Sequence, residues 1–573
     1  MNDSKFFKYL RKIGVFGIVI RVFLAWFAIA FLIYPNVNLL VSLFYKNGEF
    51  STEVFGKVLN SARAMRSLYN SFILAFTLIV TVNIVGTLLV LFTEYFDLKG
   101  SKILRAGYMT TLIYGGIVLA TGYKFVYGSN GLLTRGLVTI FPDLNQNWFV
   151  GYPAVVFIMT FALTSNHIIF LTNAVRGLDN QLIEAAQNMG ESSWNIFRKI
   201  VLPILKPSIF AITILTFLTG LGALSAPLVV GGVDFQTINP MIVTFANIPY
   251  SREIAAFLAI ILGIATMILL AIMSRIEKGG TYISIAKTKT RFVKQKIHSK
   301  PLNILMHVAA YGTWLIYVVP IVLVVLFSFS DSRAILSGNL SLDSLTIANY
   351  QTLFVSRRAF RPYMVSVTYS IAASVLVALL AVFVSKIIHK NTGKFSKALE
   401  YSMLIPWLLP STLIALGLLM AYDRPRALLG NNALLGTTYM LLMGYIIIKI
   451  PFSIRIIKSA FFSLEDSLEE SAQCMGASAF YTLRRVIMPI ILPTVLAVIV
   501  LNFNSLLSDY DLTVFLFHPL YEPLGIVIKA ASEETASLNA VAMSFVYSVI
   551  LMIISATALF LTQSDWANKR RKA

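Results

Sequence analysis

The sequence predicts an all-α polytopic membrane protein with about 12 transmembrane helices in two homologous six-helix halves, N-in and C-in. Three observations predict it. The 573 residues are 57% hydrophobic and only 13% charged, against about 25% charged in globular proteins. Mean hydropathy is +0.77, yet the formal net charge is +21, a combination that fits apolar spans joined by basic loops. A stretch in the first half of the chain also recurs in the second at a fixed offset. The single cysteine, Cys474, excludes an intramolecular disulfide and a Cys-based zinc cluster. The basic residues are spread over many short loops rather than gathered in one arm or stripe, which argues for a membrane and against nucleic acid.

A bilayer core needs about 20 mostly apolar residues per helix. In the first half such runs cover 13–34, 67–93, 106–126, 148–174, 207–230 and 254–274. In the second they cover 304–328, 363–388, 398–421, 437–460, 493–516 and 539–562. The first run follows Lys5, Lys8, Arg11 and Lys12 and resembles a signal peptide. Its apolar part exceeds the usual h-region of roughly 7–15 residues, so an uncleaved first helix is expected.

Lys and Arg on alternate sides fix the orientation. With the N-terminus inside, the cytoplasmic segments hold 31 basic residues and the opposite side 14, with Arg21 and Lys449 inside spans. The expected organisation is a first half over 1–280, a basic cytoplasmic linker over 281–303 and a second half over 304–573.

The repeat lies in the cytoplasmic loop after the fourth span of each half. Residues 178–209 read LDNQLIEAAQNMGESSWNIFRKIVLPILKPSI and residues 464–495 read LEDSLEESAQCMGASAFYTLRRVIMPIILPTV. An offset of 286 aligns Glu184 with Glu470, Met189 with Met475, Gly190 with Gly476, Pro203 with Pro489 and Pro207 with Pro493. Leu182, Ile183, Ala185, Ala186 and Met189 are apolar among polar Asp179, Glu184 and Gln187, which predicts a short amphipathic helix. Gly190 suits the left-handed position that ends it. Ser192 or Ser193 can cap a second short helix carrying Ile196, Phe197, Ile200 and Val201. Pro203 is expected to help close the loop, and Pro207 to sit in the first turn of the next span. Interfacial helices usually carry Lys or Arg on their polar face. This one carries Asp179 and Glu184, so it is expected to dock on a protein partner rather than rest on headgroups.

The segment Glu184-Ala185-Ala186, three residues, Gly190, nine residues, Ile200, one residue, Leu202-Pro203 resembles the EAA motif of permease subunits of ATP-binding-cassette importers. The second copy keeps Glu470, Ala472, Gly476 and Pro489, with Ser471, Val486 and Met488 as departures. The resemblance implies the type I importer permease fold and loops that insert into a groove on a cytoplasmic ATPase. It assigns Glu184 and Glu470 as charged contacts, with Ala185, Ala186, Gly190, Pro203, Ser471, Ala472, Gly476 and Pro489 shaping the two tabs. The chain has no GxxxxGK[ST] phosphate loop. No cofactor is therefore expected in this chain, ATP and Mg being held by a separate ATPase present in two copies. An extracytoplasmic substrate-binding protein and a bacterial cytoplasmic (inner) membrane location complete what the family implies.

Ala226-Pro227-Leu228, Gly231-Gly232 and Phe235 are similar to a stretch of ferric-iron and polyamine permeases, and Thr346-Ile347-Ala348-Asn349-Tyr350 to a segment common in this importer type. Asp509-Tyr510-Asp511-Leu512-Thr513 stands where ferric-iron permeases tend to have Glu-Leu-Pro-x-Thr. With the fused two-half length, the chain most resembles the ferric-iron transport permeases; polyamine, thiamine and phosphonate are the alternative substrates. Pro227, Gly231, Gly232, Asp509 and Asp511 become candidates for the translocation path or outer gate. For the two aspartates, a solvated helix end is the competing reading. Lys449 is expected to snorkel to the cytoplasmic headgroups, and His167 to bond between helices rather than bind metal. No metal site is read from the sequence. A 12-helix secondary transporter is the alternative from another class, but the 94–105 loop matches that class poorly and such a protein would not need matched EAA loops.

Overall fold

The computed structural model describes residues 17–46, 48–279, 292–297, 299–337, 342–390, 393–533 and 535–563. The basic N-terminal segment and most of the linker and C-terminal tail therefore lie outside the described residues. Ten helices are long and apolar enough to cross a membrane, and two bent pairs bring the number to twelve. In the first half these are α1 (Gly17–Phe44), α2 (Ala62–Tyr95), α3 (Ser101–Leu112 with Gly116–Ile140), α4 (Tyr152–Arg176), α5 (Ser193–Leu221) and α6 (Arg252–Ile272). In the second they are α7 (Lys300–Ser328), α8 (Arg357–His389), α9 (Lys394–Leu408 with Ser411–Ala421), α10 (Tyr439–Phe462), α11 (Phe480–Leu507) and α12 (Leu538–Ala558). Among the described residues the one sheet is a two-residue hairpin, Tyr45–Lys46 with Glu49–Phe50.

All twelve apolar runs correspond to an element, but four have a different course. The third and ninth bend by 116° and 110°, at Gly115-Gly116 and at Leu409-Pro410, residues that interrupt a helix. The fifth and eleventh start earlier and stop sooner than hydropathy alone suggests. Each begins in the repeated loop, passes through a π-helical turn (Phe197–Val201 and Leu483–Ile487), and continues unbroken across Pro203 and Pro207 or Pro489 and Pro493. The prolines thus neither close the loop nor begin the span. The wider turn just before Pro203 and Pro489 supplies the local adjustment that lets a helix tolerate a residue with no N–H.

Beyond Leu221 and Leu507 the chain breaks into short buried helices, Ser225–Val230 and Ile238–Ala246 in the first half, Thr513–Leu516 and Leu524–Ala531 in the second. Irregular backbone at such a place must satisfy its polar groups within the protein. The Gly222 carbonyl accepts from Asn239 Nδ2 at 2.6 Å and the Ala223 carbonyl from Thr237 Oγ1 at 2.9 Å. Serines from neighbouring helices take the first orphan amides: Ile238 N–H donates to Ser71 Oγ on α2, and Leu524 N–H to Ser366 Oγ on α8, both at 2.8 Å.

The halves are interwoven at their leading helices. Leu24, Phe27 and Phe31 of α1 are buried in the core of the second half. The Tyr422 hydroxyl donates to the Ala30 carbonyl, and Trp26 Nε1 to the Leu428 carbonyl at 3.0 Å. Reciprocally, α7 packs on α3 and α4: Tyr108 donates to the Ala310 carbonyl at 2.7 Å, and Tyr317 pairs with Thr164. Gly107 lets the Trp314 indole lie flat on α3, since a Cβ there would meet its Nε1 at 2.1 Å.

Two predictions follow from this packing. Ser71→Ala and Ser366→Ala each orphan a buried helix-terminal amide and should cost about 1 kcal/mol, read by thermal unfolding in detergent. Gly107→Leu should displace α7 and lower stability more than either serine change, because overpacking costs about 1–3 kcal/mol.

Candidate coupling loops and translocation axis

The first repeated loop starts with helix Asn180–Asn188, capped by Asp179, whose carboxylate accepts from the Gln181 amide at 3.0 Å. Gly190 ends it at φ 83°, with the Glu191 amide reaching back to the Ala186 carbonyl at 3.1 Å, the six-to-one bond of a left-handed helix end. Ser192, of the two candidate serines, caps the next turn by accepting from Asn195 N–H at 3.3 Å. Lys199 and Asn195 bond the Glu191 carboxylate at 2.9 and 2.8 Å and hold its pKa below the ordinary range. The second loop repeats the design: helix Asp466–Cys474, Gly476 at φ 80°, Ala477 N–H to the Ala472 carbonyl at 3.0 Å, and Ser478 capping Tyr481 at 3.3 Å.

Ile183, Ala186, Ile196 and Val201 anchor the first tab inward. Glu184, Ala185 and Gly190 face out, and so do Glu470, Ser471 and Gly476, while Ala472 is half-buried and Pro203 and Pro489 are exposed. Asn180 Nδ2 donates to Glu184 Oε1 at 2.6 Å, which sets the direction of that carboxylate. Sequence reasoning placed Leu182 and Met189 on the same apolar face as Ile183 and Ala186. The structure instead turns them outward, Met189 being 84% exposed, together with Trp194. Leu468, Met475 (88% exposed) and Phe480 are exposed at the corresponding positions. Apolar residues on both sides of one short helix were the signal for a second contact surface.

A strap holds the first loop. Residues 292–297, the described end of the linker, lie along the end of α2. Gln295 N–H donates to the Tyr95 carbonyl at 2.8 Å and its own carbonyl accepts from Asp97 N–H at 3.0 Å. Lys294 Nζ donates to the Thr93 carbonyl at 2.6 Å and Ser101 Oγ at 2.9 Å. Phe292 stacks on Tyr95 at 5.7 Å, and Gln187 of the loop donates to Gln295 Oε1 at 2.9 Å. Beside it, the buried Glu94 carboxylate receives Arg105 at 2.6 Å and Arg176 through two nitrogens at 2.8 and 3.1 Å. Residues 292–297 of the linker are therefore docked on the end of α2 and the first loop.

At the other end of α5 and α11, Ser225 Oγ donates to Asp511 Oδ1 at 3.5 Å. These residues are 286 apart, the offset of the repeat, so a position touches its own duplicate. In a two-fold arrangement only positions near the axis do so. Thr219 and Ser505, another equivalent pair, are both exposed just before the helix breaks. Asp509 Oδ2 accepts from Thr513 N–H at 3.2 Å and Thr513 Oγ1 at 2.9 Å, and Thr513 pairs with Tyr445 at 2.6 Å. Pro227 and Gly231 are buried in the turn above, whereas Gly232 is exposed at φ 64°. A Cβ on Gly231 would meet the Pro227 and Phe235 carbonyls at 2.3 Å, so only glycine fits.

Two residues weighed from sequence take definite places. His167 Nε2 bonds Asn83 Oδ1 at 3.1 Å and Asn83 donates to Thr213 at 2.9 Å, a tie between α4, α2 and α5. Lys449 does not snorkel with Arg455 and Lys458. Its ammonium instead reaches the neighbouring helix and donates to Ser505 Oγ on α11 at 2.6 Å, since a polar acceptor there offsets the cost of keeping the charge within a span. Arg455 instead covers the Trp407 ring at 5.3 Å and Lys458 pairs with Glu400.

Comparison with known proteins matches residues 118–279 and 379–572 to the binding-protein-dependent transport system inner membrane component family. A probable ABC transporter permease protein of Sinorhizobium fredii is 34% identical over 543 residues, 95% of each chain. A ferric transport system permease protein of Actinobacillus pleuropneumoniae is 22% identical over 85% of this chain and 69% of its own length. A Salmonella paratyphi A permease named for 2-aminoethylphosphonate transport is 23% identical over 41% of this chain and 90% of its own.

Glu94→Gln should leave Arg105 and Arg176 without their shared charge and cost about 2 kcal/mol. The expected readout is faster limited proteolysis of the 280–297 segment, with membrane insertion unchanged.

Proposed function

This chain belongs to the binding-protein-dependent transport system inner membrane component family, and we propose that it forms the translocation path of an importer driven by two copies of a separate cytoplasmic ATPase. A permease of this family is a transport component rather than an enzyme, which replaces the secondary-transporter alternative. The observation that carries the coupling role is the matched pair of tabs. Each presents an exposed carboxylate, Glu184 or Glu470, beside an exposed apolar trio, Leu182, Met189 and Trp194 or Leu468, Met475 and Phe480. Apolar anchors rimmed by charge fit a groove on a protein partner. Closure of the ATPases would push each tab, and the tab is continuous with α5 or α11. The push would reach the helix breaks at Gly222 and Ser508, where Ser225 meets Asp511, and open the axis.

The cargo we propose is ferric iron, delivered by an extracytoplasmic binding protein at a bacterial cytoplasmic membrane, with a type I importer arrangement. Support comes from the ferric-transport relative that spans most of the chain. The relative named for 2-aminoethylphosphonate keeps phosphonate as the second reading. Acidic Asp509 and Asp511 beside the axis favour the cationic cargo.

Reconstitution with the ATPase and binding protein tests both claims. Ferric ion should stimulate ATP hydrolysis, whereas spermidine, thiamine and 2-aminoethylphosphonate should not; stimulation by one of these alone would reassign the cargo. Glu184→Lys should lower stimulated turnover about tenfold or more, since like charges at an interface cost several kcal/mol. Gly190→Leu should act similarly through the strained left-handed turn. Normal coupling in both variants would remove the tab from the mechanism.

A further inference from the structure

The three charged residues placed near this axis, Lys449, Asp509 and Asp511, come from one half. Lys449, Asp509 and Asp511 correspond at the 286-residue offset to Leu163, Ala223 and Ser225. The surrounding scaffold is duplicated: Thr219 and Ser505 are both exposed, and Ser225 touches Asp511. An otherwise symmetric pathway therefore has one charged wall and one neutral wall. All three charged residues keep partial exposure.

Lys449 stands midway along α10, where an ionisable side chain is costly unless paired or watered. Its ammonium is bonded to Ser505 at 2.6 Å and attracted by Asp509. Asp509 is aimed by Thr513, itself paired with Tyr445, while Asp511 repels Asp509 and holds the Ser225 hydroxyl. Two acidic side chains and one lysine thus share this wall. A cation entering here can share the carboxyl oxygens of Asp509 and Asp511 while Ser505 retains the lysine.

We infer that Lys449 is the resident counter-ion of the axis carboxylates and a specificity-determining residue that makes the path select cationic cargo, a metal ion or an organic ammonium. The inference rests on the reading of this chain as a permease, and it deepens that reading by giving selectivity to the second half alone. The lysine keeps the carboxylates from trapping their cargo: it neutralises part of their charge, so a cation is attracted but released.

The test uses the full-length chain in neutral-lipid nanodiscs, with terbium(III) as the metal probe and spermidine as the organic one. Lys449→Met should bind terbium about tenfold or more tightly than the wild type, because removing a cation that competes for the same carboxylates raises their affinity for another. Lys449→Arg should bind like the wild type. Asp511→Ser, which installs the residue the first half already carries, should weaken binding about tenfold and reads the carboxylate side even if Lys449→Met fails to insert. Arg455→Met, on the same helix but facing Trp407, should change nothing. Spermidine competing with terbium at the site would identify a general cation path, and no competition a metal-selective one. Unchanged terbium affinity in Lys449→Met or in Asp511→Ser overturns the inference. Since no ATPase or binding protein takes part, failure of the coupling reading would leave this result interpretable.

Discussion

Hydrocarbon offers no hydrogen-bond partners, and the central architecture of this protein depends on that constraint. Continuous helices satisfy it by themselves. The breaks after α5 and α11 do not: Asn239 and Thr237 take the carbonyls freed after α5, and in each half a serine, Ser71 or Ser366, takes the first amide of a short helix beyond the break. A bundle of unbroken helices would have no flexible place on its axis. The breaks supply one, enclosed by α2, α8 and the short helices, and there the duplicated chain meets itself at Ser225 and Asp511.

The interweaving of the halves makes this meeting point possible. With α1 buried in the second half and α7 packed on α3 and α4 of the first, neither half is a free-standing bundle. The strap at 292–297 adds to this by bonding the first loop, the end of α2 and the start of α3, then leading directly into α7. A fused chain obtains through covalent continuity what two separate subunits would need an interface to provide.

Symmetry and its violation divide the labour between parts of the molecule. The tabs are nearly equal in backbone and in exposed apolar residues. The region of the Ser225–Asp511 contact is unequal in charge, since Lys449, Asp509 and Asp511 have Leu163, Ala223 and Ser225 as their counterparts. Glycine serves both regions through different physics: at Gly190 and Gly476 for the left-handed turn, at Gly231 and Gly107 for close approach.

The sequence by itself determined the number and order of the apolar elements, because burying backbone in lipid demands long apolar runs that hydropathy registers directly. It also determined the repeat, the glycine-ended tabs and the interhelical role of His167, all of which rest on local spacing. Where those runs bend or end was decided by tertiary structure. Pro203 and Pro207 look like terminators, yet a π-turn absorbs them; Leu221 and Leu507 end their helices because distant side chains reward the break. The direction in which Leu182, Met189 and Trp194 face depends on what Ile183 and Ala186 bury against. Above all, only the fold brings Lys449 to Ser505 and Ser225 to Asp511, since contacts between residues 56 and 286 positions apart leave no trace in local pattern.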